Sequence, residues 1–481
     1  MSKQYEAALA KDSWDGLAHE APDWFRDAKF GIFLHWGPYS VPAFENEWYS
    51  RNMYAKGQKQ NLHHVETYGP VSEFGYKDFI PMFKGEKFNA DEWADVIAKS
   101  GAKYAGPVTE HADNFSMWDS KVNPINSVNY GPHRDVTGEC AEAFRKRGLK
   151  VISTFHHQWL WGWFMSSDPE ADVYDPKNEI YYGKALPLET NRYKPYRMPD
   201  DEFCTMWRDK VLEVVEKYKP DALYFDSRTN IISDRYKQQM MEFFYNQSGI
   251  QDGIVTFKQE DFPAQTGVRD LECGRFSQCK PFPWQTDDRL EDRITWCYVD
   301  GAKYKSATRI VQQLIDVVAK NGNLLLNVGP KEDGTIPQEA KDVLFSVGDW
   351  LNVNGEAIYG TRPYVISDEG PTEINDADYD VKKINEQTEV GVAKDVSIGT
   401  FTAQDIRFTQ KGENVYAILM AWPEGEACIR TLGTDGPMPH ISSVELLGSS
   451  LPVEWKQQAD GLHVRLPEKP CEHAYSLRIH A

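Results

Sequence analysis

From residue 28 to 353, short apolar runs alternate with stretches in which apolar residues recur every three or four positions, and few folds accommodate such a chain. Strands separated by helices do not pair as hairpins; they line up in parallel, with the helices packed over the sheet. The runs "KFGIFLHWG" (29–37), "KYAGPVTEH" (103–111), "KVISTFHH" (150–157), "ALYFD" (222–226), "GIVTF" (253–257) and "NLLLNVG" (323–329) read as strands. Helices are expected at Asp91–Ser100, Val136–Lys146, Asp201–Tyr218, Ala307–Lys320 and Gln338–Leu351, several of them followed by the Gly or Pro that ends a helix. No strand is followed by GxGxxG or GxxxxGKS/T, so the pattern favours a (β/α)8-like, TIM-type barrel over a nucleotide-binding open sheet. After "GEAIYGTRPY" (355–364) the pattern changes to short alternating strands, such as "DIRFTQKGENVYAILMAW" (405–422). The expected organisation is a barrel over 10–356 followed by an antiparallel β-sandwich over 357–481.

Charge narrows the possible ligands. With 73 acidic against 53 basic residues the formal net charge is −20, which disfavours nucleic acid and anionic membrane surfaces as partners. Arg192, Lys194 and Arg197 make only a thin basic patch, so neutral or cationic ligands fit better. No long stretch is free of charge, as a membrane-spanning segment would be. The seven cysteines are odd in number and never spaced as CxxC, which reads as free thiols rather than a disulfide framework or a zinc knuckle. The N-terminal "MSKQYEAALAKDSWDG" lacks the apolar core of a secretory signal, an expectation of a cytoplasmic protein or of one whose leader has been removed.

In a parallel barrel the chemistry stands at the carboxyl ends of the strands. Here those ends carry His35 and Trp36, Glu110 and His111, His156 and His157, Asp226, and Asn327. Neighbours on a strand face opposite ways, so one residue of each adjacent pair is expected at the mouth, and His111 and His156 are favoured. Histidines and carboxylates on a barrel can hold zinc, but no HxH or HExxH occurs at a strand end, and neither metal nor organic cofactor is expected. Long connections follow at 38–75, 158–200 and 259–296 and are read as functional loops. The first supplies Glu47 and Trp48. The second, "QWLWGWF", would line up Trp159, Trp161 and Trp163 in one ridge if extended, suited to sugar rings, with core filling as the competing reading. The third holds Glu272, Arg275, Trp284 and Gln285. A carboxylate at Asp226 with a second carboxyl from a loop is what retaining glycoside hydrolysis requires, although spacing alone reads Glu272 as a solvated loop residue.

"WFRDAKFGIFLHWGPYSVPAFENEWYSRNMY", "HADNFSMWDSKVNPINSV", "DALYFD" and "NGNLLLNVGPKEDGTIP" resemble the signatures of glycoside hydrolase family 29, the α-L-fucosidases, over about residues 22–364. The tail is similar to that family's C-terminal β-sandwich. The resemblance implies a retaining exo-α-L-fucosidase acting on fucosylated oligosaccharides or glycans, with Asp226 of the "FD" motif as nucleophile. It also implies that His35, Glu47, Trp48 and His111 contact the sugar. The sequence departs from the family pattern twice. Ala112 stands where many members carry a second histidine, so that contact passes to His156 or His157. Trp284-Gln285 stands where many carry Trp-Glu; Trp284 would still line the sugar, but an amide cannot donate and recover a proton. Glu272 therefore becomes the expected acid/base, with Glu47 second and His156 third, and Arg275 is expected near the fucose or steering Glu272. Two other classes remain as alternatives: a non-catalytic fucose-binding protein and a metal-dependent barrel hydrolase.

Overall fold

The structure, a computed structural model, describes residues 3–186, 198–376 and 400–481; Arg192, Lys194 and Arg197 lie outside the described residues. Eight parallel strands close in chain order into a barrel: β1 (Phe30–Leu34), β2 (Tyr104–Glu110), β3 (Lys150–Phe155), β4 (Ala222–Phe225), β5 (Ile254–Lys258), β6 (Val268–Glu272), β7 (Trp284–Arg289) and β8 (Gly322–Val328). Closure comes from β1, which pairs with both β2 and β8. Phe33, Tyr104, Val108, Ile152, Tyr224, Ile254, Val268 and Leu325 fill the interior. The alternate residues Ile32, Leu34, Ala105, Val151, Leu324 and Leu326 face outward beneath helices that contribute Trp93, Ile97, Phe144 and Leu314. Both faces of these strands are covered, which is why they read as unbroken apolar runs. Six of the helices fall at Ala90–Lys99, Val136–Lys146, Asp201–Tyr218, Asp234–Glu242, Ala307–Ala319 and Gln338–Asn354.

The stretch 259–296, expected as an irregular loop, contains two barrel strands, β6 and β7. Their sequences, VRDLE and WQTDDR, lack an apolar face because, apart from Val268, their inward positions are polar. Lys258 Nζ on β5 donates to Asp270 Oδ1 on β6 at 2.6 Å and to Asp287 Oδ1 on β7 at 2.5 Å. Tyr224 hydroxyl donates to Asp287 Oδ2 at 2.9 Å, Gln285 Nε2 donates to Asp270 Oδ2 at 2.7 Å, and Tyr104 hydroxyl donates to Gln285 Oε1 at 2.8 Å. A closed hydrogen-bond network thus replaces apolar packing on this side of the barrel, and each buried polar group has its partner. Neither the β5–β6 nor the β6–β7 connection carries an α-helix.

After the barrel, a five-stranded antiparallel sheet in the order β13 (Ser443–Leu446), β16 (Tyr475–His480), β11 (Asn414–Leu419), β10 (Ile406–Lys411), β9 (Arg362–Glu369) faces a three-stranded sheet in the order β12 (Glu426–Ile429), β15 (Gly461–Arg465), β14 (Glu454–Gln458). Val415, Ala417 and Leu419 point into the sandwich with Ile429, Leu462 and Val464. The alternate residues Tyr416 and Ile418 pack on the barrel's helical layer, so the larger sheet is buried on both faces. Polar contacts fix the junction: Arg407 Nε donates to Asp316 Oδ1 at 2.5 Å, and the His473 ring lies between the hydroxyls of Thr308 and Ser346 at 2.8 and 2.9 Å.

Candidate active site

Strand phase aims the functional side chains. In β4, Ala222 and Tyr224 face inward, and Asp226, two positions on, emerges at the mouth in the same phase. The same step of two leads from Phe33 to His35 on β1, from Leu325 to Asn327 on β8 and from Asp270 to Glu272 on β6. β2 is the exception. Tyr104 and Val108 lie inside, so strict alternation would bring Glu110 to the mouth and turn His111 away. A register shift between Val108 and Glu110 reverses this. Glu110 instead turns outward, where Lys210 Nζ and Ser116 hydroxyl donate to it at 2.6 and 2.5 Å, and His111 enters the mouth.

His35, His111 and His156 meet there, their ring centroids 4.9 to 5.6 Å apart. Asn327 Nδ2 donates to the Trp296 carbonyl at 2.6 Å, which leaves Asn327 Oδ1 to accept from His35 Nδ1 at 2.7 Å. His35 Nε2 is therefore the unprotonated nitrogen. Burial, opposed by the Asn327 bond, pushes the His35 pKa down to about 3; burial and the neighbouring imidazoles hold His111 and His156 well below their ordinary value. With its Nδ1–H bound to Asn327, His35 offers the mouth an acceptor at Nε2, while neutral His111 and His156 each offer one donor and one acceptor, a set matched to sugar hydroxyls. One nitrogen from each lies within 4.8 Å of the others, so this is also the group at the mouth that could hold a zinc-like ion.

The carboxyls occupy the other side. Trp159 Nε1 donates to Asp226 Oδ2 at 2.8 Å, and Gln158 Nε2 and Thr229 Oγ1 tie down the Asp226 carbonyl at 2.7 and 2.9 Å. Burial raises the Asp226 pKa, while Lys258, the Ser227 N–H and Trp159 stabilise its anion. Glu272 stands two strands away at the end of β6. Burial raises its pKa to about 7 against the pull of Lys258, and the charges of Asp226, Asp270 and Glu47 push the same way. Both side chains stand in the inward phase at the mouth, near enough for the Asp226 charge to act on Glu272. Glu47 is buried, accepts from the Trp296 N–H at 2.8 Å and is raised by that burial to about 7. Trp48 lies against Trp159 and Trp163, at centroid distances of 5.4 and 4.8 Å.

Several expected contacts lie elsewhere. His157 turns away from the mouth: its Nε2 is 3.0 Å from the Trp207 carbonyl and its ring stacks on Trp207, because the strand's alternation sends His156 inward and its neighbour outward. Trp284 begins β7, at the opposite end of the barrel from the mouth; its Nε1 donates to the Lys320 carbonyl at 2.8 Å and its ring packs on Phe276. Arg275 Nε donates to the Asn375 carbonyl at 3.1 Å, which directs it towards the segment after β9. The three tryptophans form no ridge. His157–Leu160 is a turn of 3-10 helix, so Trp159 reaches Asp226, Trp163 Nε1 donates to Ser50 hydroxyl at 3.0 Å, and Trp161 packs on Phe203. Two residues of the site, Lys258 and Trp296, are not marked by motif or residue type in the sequence. Lys258 ends β5, one residue beyond the apolar run 253–257, and its phase with Ile254 is the available signal. Trp296 faces His35 at 5.5 Å from a loop with no periodic pattern.

Two carboxyls, Asp226 and Glu272, at a barrel mouth lined by neutral histidines suit the chemistry of glycoside hydrolases, which uses one ionised and one protonated carboxyl. Residues 1–356 match the alpha-L-fucosidase family and residues 400–480 the alpha-L-fucosidase C-terminal domain; the chain belongs to the alpha-L-fucosidase family. Tissue alpha-L-fucosidase of Homo sapiens is 29% identical over 484 residues, spanning 97% of this chain and 91% of that one. Alpha-L-fucosidase of Branchiostoma floridae is 28% identical over 483 residues, spanning 97% and 95%. The Thermotoga maritima alpha-fucosidase crystallised with a mechanism-based inhibitor superposes with a TM-score of 0.75 at 27% identity, covering 98% of this chain and 100% of that one.

Proposed function

We propose that the protein removes terminal α-linked L-fucose from oligosaccharides or glycoconjugates with net retention, by two displacements at the anomeric carbon. The observation that carries this reading is the unequal treatment of two carboxyls at one mouth. Burial raises both, but at Asp226 the Lys258 charge and the Ser227 and Trp159 N–H groups oppose it, whereas Glu272 is crowded by Asp226, Asp270 and Glu47 and is raised to about 7. In the first step an Asp226 oxygen bonds to C1 as the C1–O bond to the aglycone breaks, and the Glu272 proton passes to the departing oxygen. In the second, ionised Glu272 takes a proton from water, the water oxygen bonds to C1, and the Asp226 ester breaks. Neutral His35, His111 and His156 bind the hydroxyls, and Trp48 and Trp296 offer ring faces to the sugar.

Asp226→Gly tests the nucleophile. Turnover of an aryl α-L-fucoside should collapse, and added azide should restore it as β-L-fucosyl azide; undiminished turnover in the variant would end the assignment. The histidine trio supports a second reading, a metal-assisted hydrolase. Full activity after exhaustive chelation, with no gain on adding zinc, is expected and removes it.

A further inference from the structure

Far from the barrel mouth, the outer face of the three-stranded sheet carries a cysteine, a histidine and two carboxylates whose spacing suits a metal ion. Cys428 on β12 and His463 on β15 are directly opposed cross-strand partners, and both side chains leave the sandwich core, which takes Ala427, Ile429, Leu462 and Val464 instead. Cys428 Sγ is 3.8 Å from His463 Nε2, and His463 Nε2 is 3.1 Å from Asp460 Oδ1 on the β14–β15 turn. The thiol sulfur, the ring nitrogen and the carboxylate oxygen all lie within 4.8 Å of one another. Tetrahedral zinc, at about 2.0–2.1 Å from nitrogen or oxygen and about 2.3 Å from sulfur, holds such ligands roughly 3.3–3.6 Å apart, so only small rotations are needed to close on it. The remaining ring nitrogen, His463 Nδ1, lies 3.0 Å from Glu426 Oε1, the outer carboxylate that orients a metal-bound histidine. Room is also present: a Cβ on Gly461 would stand 2.7 Å from Cys428 Sγ, and glycine leaves that approach open. Lys456 pairs with His463 from β14 and Arg430 acts on Cys428, against the carboxylates Asp460, Glu426 and Glu369.

We propose that Cys428, Asp460 and His463 form a site for a borderline-soft divalent cation of the zinc class, with Glu426 fixing the imidazole and a water completing the tetrahedron. Binding replaces the Cys428 S–H proton, and the Nε2 proton wherever the imidazole is charged, with two metal bonds; both protons go to solvent and no electrons are transferred. The ion would clip β12 to the β14–β15 turn. This site is independent of the fucosidase reading, because none of its residues touches the barrel mouth.

The test is titration of the full-length protein with Co(II), whose thiolate complexes absorb in the near ultraviolet. One equivalent should raise a thiolate-to-cobalt band that zinc then bleaches. Cys428→Ser should abolish the band while leaving aryl fucoside turnover unchanged. His463→Gln should abolish it too, and Glu426→Gln should weaken affinity by about 10–100-fold. Calorimetry with zinc in two buffers of different ionisation enthalpy should report proton release in the native protein and none at this site in Cys428→Ser. A band that persists in Cys428→Ser would overturn the assignment. So would cobalt that binds without a thiolate band and is displaced by fucose, which would place the ion on the barrel histidines instead.

Discussion

The barrel mouth and the C-terminal sandwich treat the same side chain in opposite ways. In the barrel, burial is the largest influence on the carboxyls and lifts Glu47, Asp113, Asp261 and Glu272 to about 7 and Glu291 to about 8. In the sandwich, donors win. Hydrogen bonding to His463 lowers Asp460, Lys469 lowers Glu472, and at Asp405 the N–H and hydroxyl groups of Thr402 and Thr372 overcome the effect of burial. The lesson is that carboxyls become acids at neutral pH where the fold removes water without supplying enough donors, and that this fold does so around the carboxyl ends of its barrel strands. The sandwich supplies partners that hold Asp405, Asp460 and Glu472 below the usual carboxylate range.

The comparison breaks most visibly at Glu272. Glu272→Ala should slow natural fucosides by about 10²–10⁴-fold and aryl fucosides with good leaving groups far less, and it should remove the loss of kcat/KM above about pH 7. Equal losses on both substrates would transfer the proton to Glu47. The barrel's interior network comes next. Lys258→Met leaves Asp270 and Asp287 facing one another without their cation, which should cost about 3–5 kcal/mol in denaturant unfolding. Pairing it with Asp287→Asn should recover part of that loss. A smaller effect separates the two regions by pH. Carboxyls raised in the native barrel favour folding while both states hold the proton, and that benefit fades as pH rises from their unfolded values through about 7 to 8. Carboxyls lowered in the sandwich favour folding above their unfolded values and lose that benefit as pH falls. Amide exchange corrected for intrinsic rate should therefore show barrel-end protection falling from pH 5 to 8, and sandwich protection falling from pH 5 to 3. The smallest expected effect is at Arg478→Ala, which removes sandwich-side ion pairs to Glu356 and Glu445 that are open to solvent and should cost about 1 kcal/mol or less.

Legibility in the sequence followed the same division. β1 to β5 and β8 were readable because both their faces are apolar, and helices such as Val136–Lys146 and Asp201–Tyr218 were readable from their periodicity. β6 and β7 were not, because Asp270, Gln285 and Asp287 occupy positions where an apolar period was sought, and only the partner Lys258 on a third strand makes them tolerable. Asp226 stood out as a carboxylate closing an apolar strand. The sequence favours His111 over Glu110, but the reason it faces the mouth, a register shift after Val108, has no signature in the residues themselves. Trp284 and His157 misled in the same manner: residue type and motif suggested the sugar site, whereas strand position and phase put one at the far end of the barrel and the other under the helix Asp201–Tyr218.

The central claim is that Asp226 becomes covalently bound to fucose C1 during turnover. Incubation with 2-deoxy-2-fluoro-fucosyl fluoride, followed by peptide mapping, tests it most directly. The expected result is a single fluorofucosyl ester on the peptide containing Asp226, formed as activity is lost. An adduct on the Glu272 or Glu47 peptide, or β-L-fucose as the first-formed product from a natural substrate, would contradict it.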